Sequence, residues 1–283
     1  MDKNKISLVT MFFDIGRGDW SKQNGIADFA NRDNDKYFAY FAHLAKLKND
    51  MVVFTTPNFN ERIRQLREDR PTTIINIDLE SKFGDYIRKI EDIQNSENFV
   101  KHIPESLRQN PEYRSPKYVL INNLKTYFVK QAIEQGLPQQ EQVAWVDFGY
   151  CRDANTLAGI NEWQYSFDKN YMHFFTIKPK KKFGIIPNSK FPTTMESTKQ
   201  AMYHNRVFII GSIFVGTKSK WSEFYTKLTN IQLDLLDEGI IDDDQGVYLM
   251  YNTLHGNDIN LHYLADGLFS KPNWFGLFQQ FNA

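Results

Sequence analysis

Cysteine is almost missing from this chain. Cys151 is the single one in 283 residues, which excludes an intrachain disulfide framework and a zinc site built from several thiolates, and points to a reducing compartment. Net charge is missing too. The 34 Lys and Arg residues balance 34 Asp and Glu, so no global field exists to hold a polyanion and nucleic acid is not expected as the main partner. No apolar run approaches the roughly 20 residues of a membrane-spanning helix, and the N-terminal stretch MDKNKISLVTMFFDIGRGDW has no small-residue cleavage pattern. A cytosolic protein is expected. Internal repeats and low-complexity linkers are also absent, and the length suits one large α/β domain with an elaborated C-terminal part. No glycine loop is followed by Lys-Ser or Lys-Thr, and the spacing of a dinucleotide fingerprint is not present, which argues against a phosphoryl-transfer ATPase and a nicotinamide enzyme. The six histidines are scattered, against the clustered ligands of a two-metal phosphohydrolase.

Aromatic residues, by contrast, are plentiful at 15%, with 23 Phe and 14 Tyr. They suit either a thick aromatic core or a site that stacks on flat ligands. Strand-like and helix-like segments alternate, the pattern of a layered sheet with helices on its faces. Residues 6–13, 51–55, 73–77 and 142–146 read as strands. Residues 37–48 show helical spacing, Thr56-Pro57 reads as the cap and first residue of a helix through Leu66, and 82–112 reads as a peripheral helical insertion. Ile121, Leu124, Phe128 and Ala132 form the stripe of one helix closing at Gly136. In the second half 172–177 and 207–215 read as strands, the latter with Gly211 at its centre, marking a bulge or a close backbone approach. A turn over 216–220 then leads into a helix capped by Ser219, with Trp221, Phe224, Tyr225, Leu228, Ile231 and Leu235 on its inner face. The fold class that follows is mixed α/β with a mostly parallel central sheet, helices on both faces, in one domain spanning 1–283.

The most informative segment is QVAWVDFGYC, residues 142–151. An apolar strand that ends on Asp147 and runs into a Gly149 loop delivers a carboxylate to the edge where open α/β sheets bind ligands, although an Asp there also serves as a turn or cap residue. The loop Asp14-Ile-Gly16-Arg17-Gly-Asp19 follows the first strand at the same edge. Its glycines permit close approach to a ligand, and Arg17 can contact phosphate or stack on a base. Two charged loops on one edge define a crevice. Asp242, Asp243 and Asp244 suit the positive end of a helix, yet capping uses one or two acids, which leaves room for one to face a pocket as a base or a hydroxyl binder. Asp147 and His262 are compatible ligands for Mn²⁺ or Mg²⁺ when a diphosphate supplies further oxygens, with Lys271 as an added point charge. The basic run Lys178 to Lys182 is a solvated loop or a contact for an anionic acceptor or an acidic membrane face.

In their order, LVTMFFDIGRG (8–18), YVLINNLKTYFV (118–129), VAWVDFGY (143–150), IIGSIFVGTKSKWSEFY (209–225) and DDDQ (242–245) resemble the bacterial HtrL/YibB family, also labelled WlaTC-like and regarded as glycosyltransferases of the GT-A type. The resemblance implies a hexose moved from a nucleotide sugar, UDP-linked, to a saccharide or lipid-linked saccharide acceptor in surface polysaccharide or lipooligosaccharide synthesis. It also implies a donor half over 1–150, an acceptor half over 151–283, and peripheral contact with the cytoplasmic membrane. By it, Phe13, Asp14, Gly16 and Arg17 cradle the nucleotide, with Lys125 as a donor-side contact. Asp147, His262 and Lys271 neutralise the diphosphate with a divalent metal, and Asp244 is the base of an inverting transfer or a hydroxyl binder in a retaining one. Gly149 stands where the family of metal-dependent transferases carries a second Asp, which leaves metal-independent transfer, or a non-catalytic sugar-binding or assembly role, open.

Overall fold

A computed structural model describes residues 4–178, 191–265 and 271–282. Seven strands form one sheet: β1 (Ile6–Phe12), β2 (Met51–Thr55), β3 (Thr72–Asn76), β4 (Gln142–Val146), β5 (Met172–Thr176), β6 (Ile213–Thr217) and β7 (Ile259–Tyr263). Their order is β3-β2-β1-β4-β6-β5-β7. β1 pairs in parallel with both β2 and β4, and β5 in parallel with β7. Only β6 runs against its neighbours, β4 and β5. This is the mixed, mostly parallel sheet that alternating apolar segments and helices imply. Its five inner strands are buried on both faces while the edge strands β3 and β7 are partly exposed, and the side-chain alternation of a strand sends Val9, Val52, Trp145 and Phe174 into one core and Leu8, Val53, Val146 and Phe175 into the other.

The helices are α1 (Asn34–Leu44), α2 (Asn60–Arg67), α3 (Leu79–Asn95), α4 (Glu97–Val100), α5 (Pro116–Asn123), α6 (Lys125–Glu134), α7 (Met195–Tyr203), α8 (Lys218–Asp237), α9 (Asp244–His255) and α10 (Leu277–Gln280). The first core is covered by α3, α5, α6, α8 and α9, the second by α1, α2 and the C-terminal segment that ends in α10. Local chemistry fixes most starts. Asp33, Asp78 and Ser115 accept backbone N–H groups at the first turns of α1, α3 and α5, and Pro116 occupies the first turn of α5.

Several expectations are corrected. Residues 82–112 are no peripheral insertion: Ile90, Ile93, Phe99 and Ile103 are buried in the first core. The predicted single helix over Ile121 to Ala132 breaks at Leu124, so that Lys125 opens a new helix. The strand expected over 207–215 occupies 213–217 instead, with Gly216 inside it, and Thr217 rather than Ser219 caps α8 by accepting the Lys220 N–H. Thr56 makes no cap bond, and a 3₁₀ turn over Pro57–Phe59 precedes α2. Of the Lys178 to Lys182 run only Lys178 lies within the described residues, its ammonium 3.9 Å from the Phe208 ring centroid.

Candidate active site at the strand-order reversal

The chain runs outward from β1 through β2 to β3, then returns to the other side of β1 with β4. Loops leaving β1 and β4 therefore diverge at their carboxyl ends, and diverging loops leave a crevice. A cavity of about 360 Å³ lies there, lined by Phe13, Asp14 and Arg17 after β1, Asp147 and Gly149 after β4, Ser212 before β6, Lys125 at the start of α6 and Asp244 and Gln245 at the start of α9.

Its floor is an ion triad. The Lys125 ammonium lies 2.9 Å from Asp147 Oδ1 and 2.5 Å from Asp244 Oδ2, and donates to the Gly211 carbonyl at 2.8 Å. Burial alone would depress the Lys125 pKa, but Asp147 and then Asp244 more than offset it and hold the ammonium charged. Asp244 is pushed up by burial, with Lys125 opposing and Asp147 adding repulsion. The two carboxylates differ in access. The Asp244 side chain is 3% exposed and the Asp147 side chain 34%, so Asp147 is the one that faces the cavity. Trp145 Nε1 donates to Asp147 Oδ1 at 2.8 Å, and the Asp147 N–H donates to the Ser212 carbonyl, which fixes both side chain and backbone.

Gly211 makes this triad possible. A Cβ there would sit 2.0 Å from Asp244 Oδ2, so the close approach expected at this glycine is real, although it precedes β6 instead of lying within a strand. Gly149 meets a milder demand, since a Cβ would lie 3.1 Å from the Tyr37 ring that walls the cavity, a tight contact that a small shift of the ring would relieve. Asp243 caps α9 by accepting the Gln245 N–H. The Oε1 of Gln245 and the buried hydroxyl of Tyr248 have no hydrogen-bond partner among the described residues.

Phe13, Asp14, Arg17, Lys125, Asp147 and Asp244 are thus brought together as expected. Asp14 is engaged within its own loop, accepting from the Gly16 N–H at 2.8 Å and from Asn34 Nδ2 at 2.7 Å. Gly16 takes the left-handed conformation, φ 78°, that turns this loop, and it is not part of the cavity lining. Arg17 donates to the Ala30 carbonyl through Nε and Nη2 and to the Tyr37 hydroxyl through Nη1. Lys271 is exposed and outside the lining.

His262 is the correction. It sits on β7, three strands from β4 in the sheet, and three spacings of 4.8 Å amount to about 14 Å. Its Nε2 bonds the Nδ1 of His173 at 2.8 Å, and its ring packs on Phe175 and Phe281. One metal ion cannot bridge Asp147 and His262 across that distance. Asp147 Oδ1 is already held by Trp145 and Lys125, and among the described residues no three His, Cys, Asp or Glu side chains gather to hold a metal. The expected metal pair does not fit. Cys151 is buried, and burial raises its thiol pKa, which leaves it unreactive.

Sequence reasoning missed the walls and the mouth. Tyr37, Tyr118, Trp274 and Phe275 supply aromatic walls, and Arg32 and Arg152 join Arg17 as cations. Arg152, three residues beyond Gly149, was the one within reach, because it belongs to the same loop as Asp147. Arg32 and Trp274 enter from distant segments and carry no local signal.

Among proteins of known sequence, the chain is 41% identical over 282 residues to Protein HtrL of Escherichia coli (strain K12), covering 99% of this chain and 94% of that protein. Among solved structures, mouse xyloside xylosyltransferase 1 in its apo form aligns over 90% of this chain and 84% of that one, at 11% identity and a TM-score of 0.42. That likeness is too slight to bear on activity. A family described as "Bacterial protein of unknown function (HtrL_YibB)" matches residues 4–283. With that match over nearly its whole length and the close relative in E. coli, the chain belongs to the HtrL_YibB family.

Proposed function

We propose that the protein is a glycosyltransferase that moves a hexose from a nucleoside diphosphate sugar, UDP-linked, to a saccharide or lipid-linked saccharide of the bacterial surface polysaccharide or lipooligosaccharide. The observation that carries this is the pairing of an accessible carboxylate, Asp147, with a charged lysine in the floor of a cavity at the strand-order reversal. Glycosyl transfer requires a positioned acceptor hydroxyl, a base or hydrogen-bond acceptor for its proton, and cationic groups for the departing diphosphate. Asp147 supplies the carboxylate at the reacting hydroxyl. Asp244, buried and bonded to Lys125, is better suited to positioning that lysine than to taking a proton itself. Aromatic walls offer stacking surfaces for a base and sugar rings. Gln245, at the start of α9, lines the same cavity. The nucleotide sugar falls to the 1–150 half and the acceptor to the 151–283 half. Among the described residues no helix is long and apolar enough to cross a membrane. Action in the cytoplasm, at the inner face of the membrane, is part of the same proposal.

The test is release of the free nucleotide, UDP, GDP or CMP, from the corresponding nucleotide sugars with crude bacterial glycan as acceptor, alongside ligand-induced thermal shifts. Turnover should fall roughly 10²- to 10⁴-fold in Asp147→Asn, the scale of a lost acid–base group, with the native circular dichroism retained and the melting temperature lowered by the loss of one carboxylate beside Lys125. Undiminished turnover in that variant would remove Asp147 from the chemistry. Binding of nucleotide sugars without any turnover would replace the transferase by a sugar-binding protein.

A further inference from the structure

The charges in this cavity do not balance locally. Lys125 in the floor faces two carboxylates, Asp147 and Asp244, so with both ionised the floor is net negative and repels a phosphate. The same cavity is lined by Arg32 and Arg152. Among the described residues neither has a carboxylate at ion-pair distance. The Arg152 guanidinium lies over the Tyr40 ring at 4.4 Å and the Phe275 ring at 5.5 Å. It is held in a partly dry position, and burial followed by repulsion from Arg32 lowers its pKa, with the tyrosines Tyr40 and Tyr37 as the opposing groups. Two like charges near each other, one of them held against aromatic rings, cost stability unless an anion joins them. A guanidinium pre-ordered by stacking loses little entropy on binding a phosphate or carboxylate in bidentate fashion. Arg17 is different, because its donors already serve Ala30 and Tyr37.

We propose that Arg32 and Arg152 form an anion subsite at the cavity, which takes a phosphoryl or carboxylate group of the substrate. Placing that group on a substrate rests on the cavity being the substrate site of the proposed transferase. The anion has two sources, the diphosphate of the donor or an acidic group on the acceptor sugar, and the chemistry of recognition is the same.

Calorimetric titration of the full chain with inorganic pyrophosphate, UDP, glucuronate and, as the neutral control, glucose tests it. The comparison is with Arg32→Ala, Arg152→Ala, the double variant and Arg88→Ala, an exposed arginine on α3. Binding of at least one anion should weaken by roughly 10- to 100-fold for each arginine removed and fall with added salt, with Arg88→Ala unchanged. Loss confined to UDP and pyrophosphate assigns the subsite to the donor. Loss confined to glucuronate assigns it to the acceptor. Unliganded Arg32→Ala should melt at or above the wild-type temperature, since a repulsion is relieved; a structural arginine would do the reverse, lowering the melt with anion binding intact, and would overturn the proposal. Equal anion binding in wild type and double variant, or none in either, also overturns it. If affinity depends on the arginines but no nucleotide sugar is turned over, the subsite stands and the transferase falls. Turnover with anion binding indifferent to the arginines removes the subsite alone.

Discussion

Lys125 is a buried cation held by two carboxylates and a carbonyl, and taking it away leaves Asp147 and Asp244 facing each other without compensation. Breaking such a pair costs about 3–5 kcal/mol. Lys125→Met should therefore melt well below the wild type, and adding Asp244→Asn to it should recover part of the loss, a non-additivity that a double-mutant cycle measures. Strict additivity would mean that the two groups do not interact. Gly211→Ala is the steric counterpart. Its Cβ would meet the Asp244 carboxylate at 2.0 Å, so a cost on the order of 1–3 kcal/mol is expected, read as a lowered denaturation midpoint together with lost turnover. Asp243 bears on pH. Burial, then Asp244, raises its folded pKa above that of the unfolded chain. The native state thus binds more protons than the unfolded state over that window, and stability falls as pH rises from about 4, the unfolded value, through the folded value. Asp243→Asn keeps an oxygen for the cap bond to Gln245 and removes the charge. It should raise the melting temperature by ~2 °C or more at pH 8 and little at pH 4, and an equal shift at both pH values would sink the explanation.

At the scale of the element, Arg67 does for two turns what a cap does for a helix. It is fully buried, and its guanidinium donates to the carbonyls of Ala45, Leu47, Asn49 and Pro71 and to the Thr72 hydroxyl. It thereby joins the turn after α1 to the turn between α2 and β3. Burial lowers its pKa to about 10, with Arg70 adding to the shift and Asp50 opposing it, so it stays charged at neutral pH. Arg67→Met preserves volume and strands those carbonyls in a dry place. A loss of about 3 kcal/mol or more is expected, measurable by urea denaturation, with hydrogen exchange accelerated first in β2 and β3. The break between α5 and α6 at Leu124 belongs to this scale as well. An unbroken helix would carry the stripe Ile121, Leu124, Phe128 and Ala132 on one line, whereas the break places Lys125 at a helix start beside Gly211 and Asp244.

For the whole molecule, the decisive fact is that β1 and β4 are neighbours and one sheet runs through both halves of the chain. Both cores are built on the same strands, so neither half can lose its packing without exposing the other. Denaturation followed by tryptophan fluorescence, which reports Trp145 and Trp221 in the first core and Trp163 in the second, should coincide with loss of helical circular dichroism in a single transition. Two separated transitions would show that the N-terminal and C-terminal halves fold as independent units.

By itself the sequence determined β2 and β4, which end where their apolar runs end, and it determined the strand-edge position of Asp147, because a continuous apolar run and a following glycine loop are local signals. It also pointed, through the order of its motifs, to the family. Only the tertiary structure decided which charges meet. Lys125, Asp147 and Asp244 lie on three elements far apart in the chain, and their contact depends on Gly211 and on the break at Leu124. His262 looked like a ligand by residue type, yet the order of the strands sets it beside His173 and away from the cavity. Arg32 was silent in the sequence for the same reason. A charge gains meaning from its partners, and partners are set by which strands lie side by side, a property of long-range packing that no local window of residues encodes.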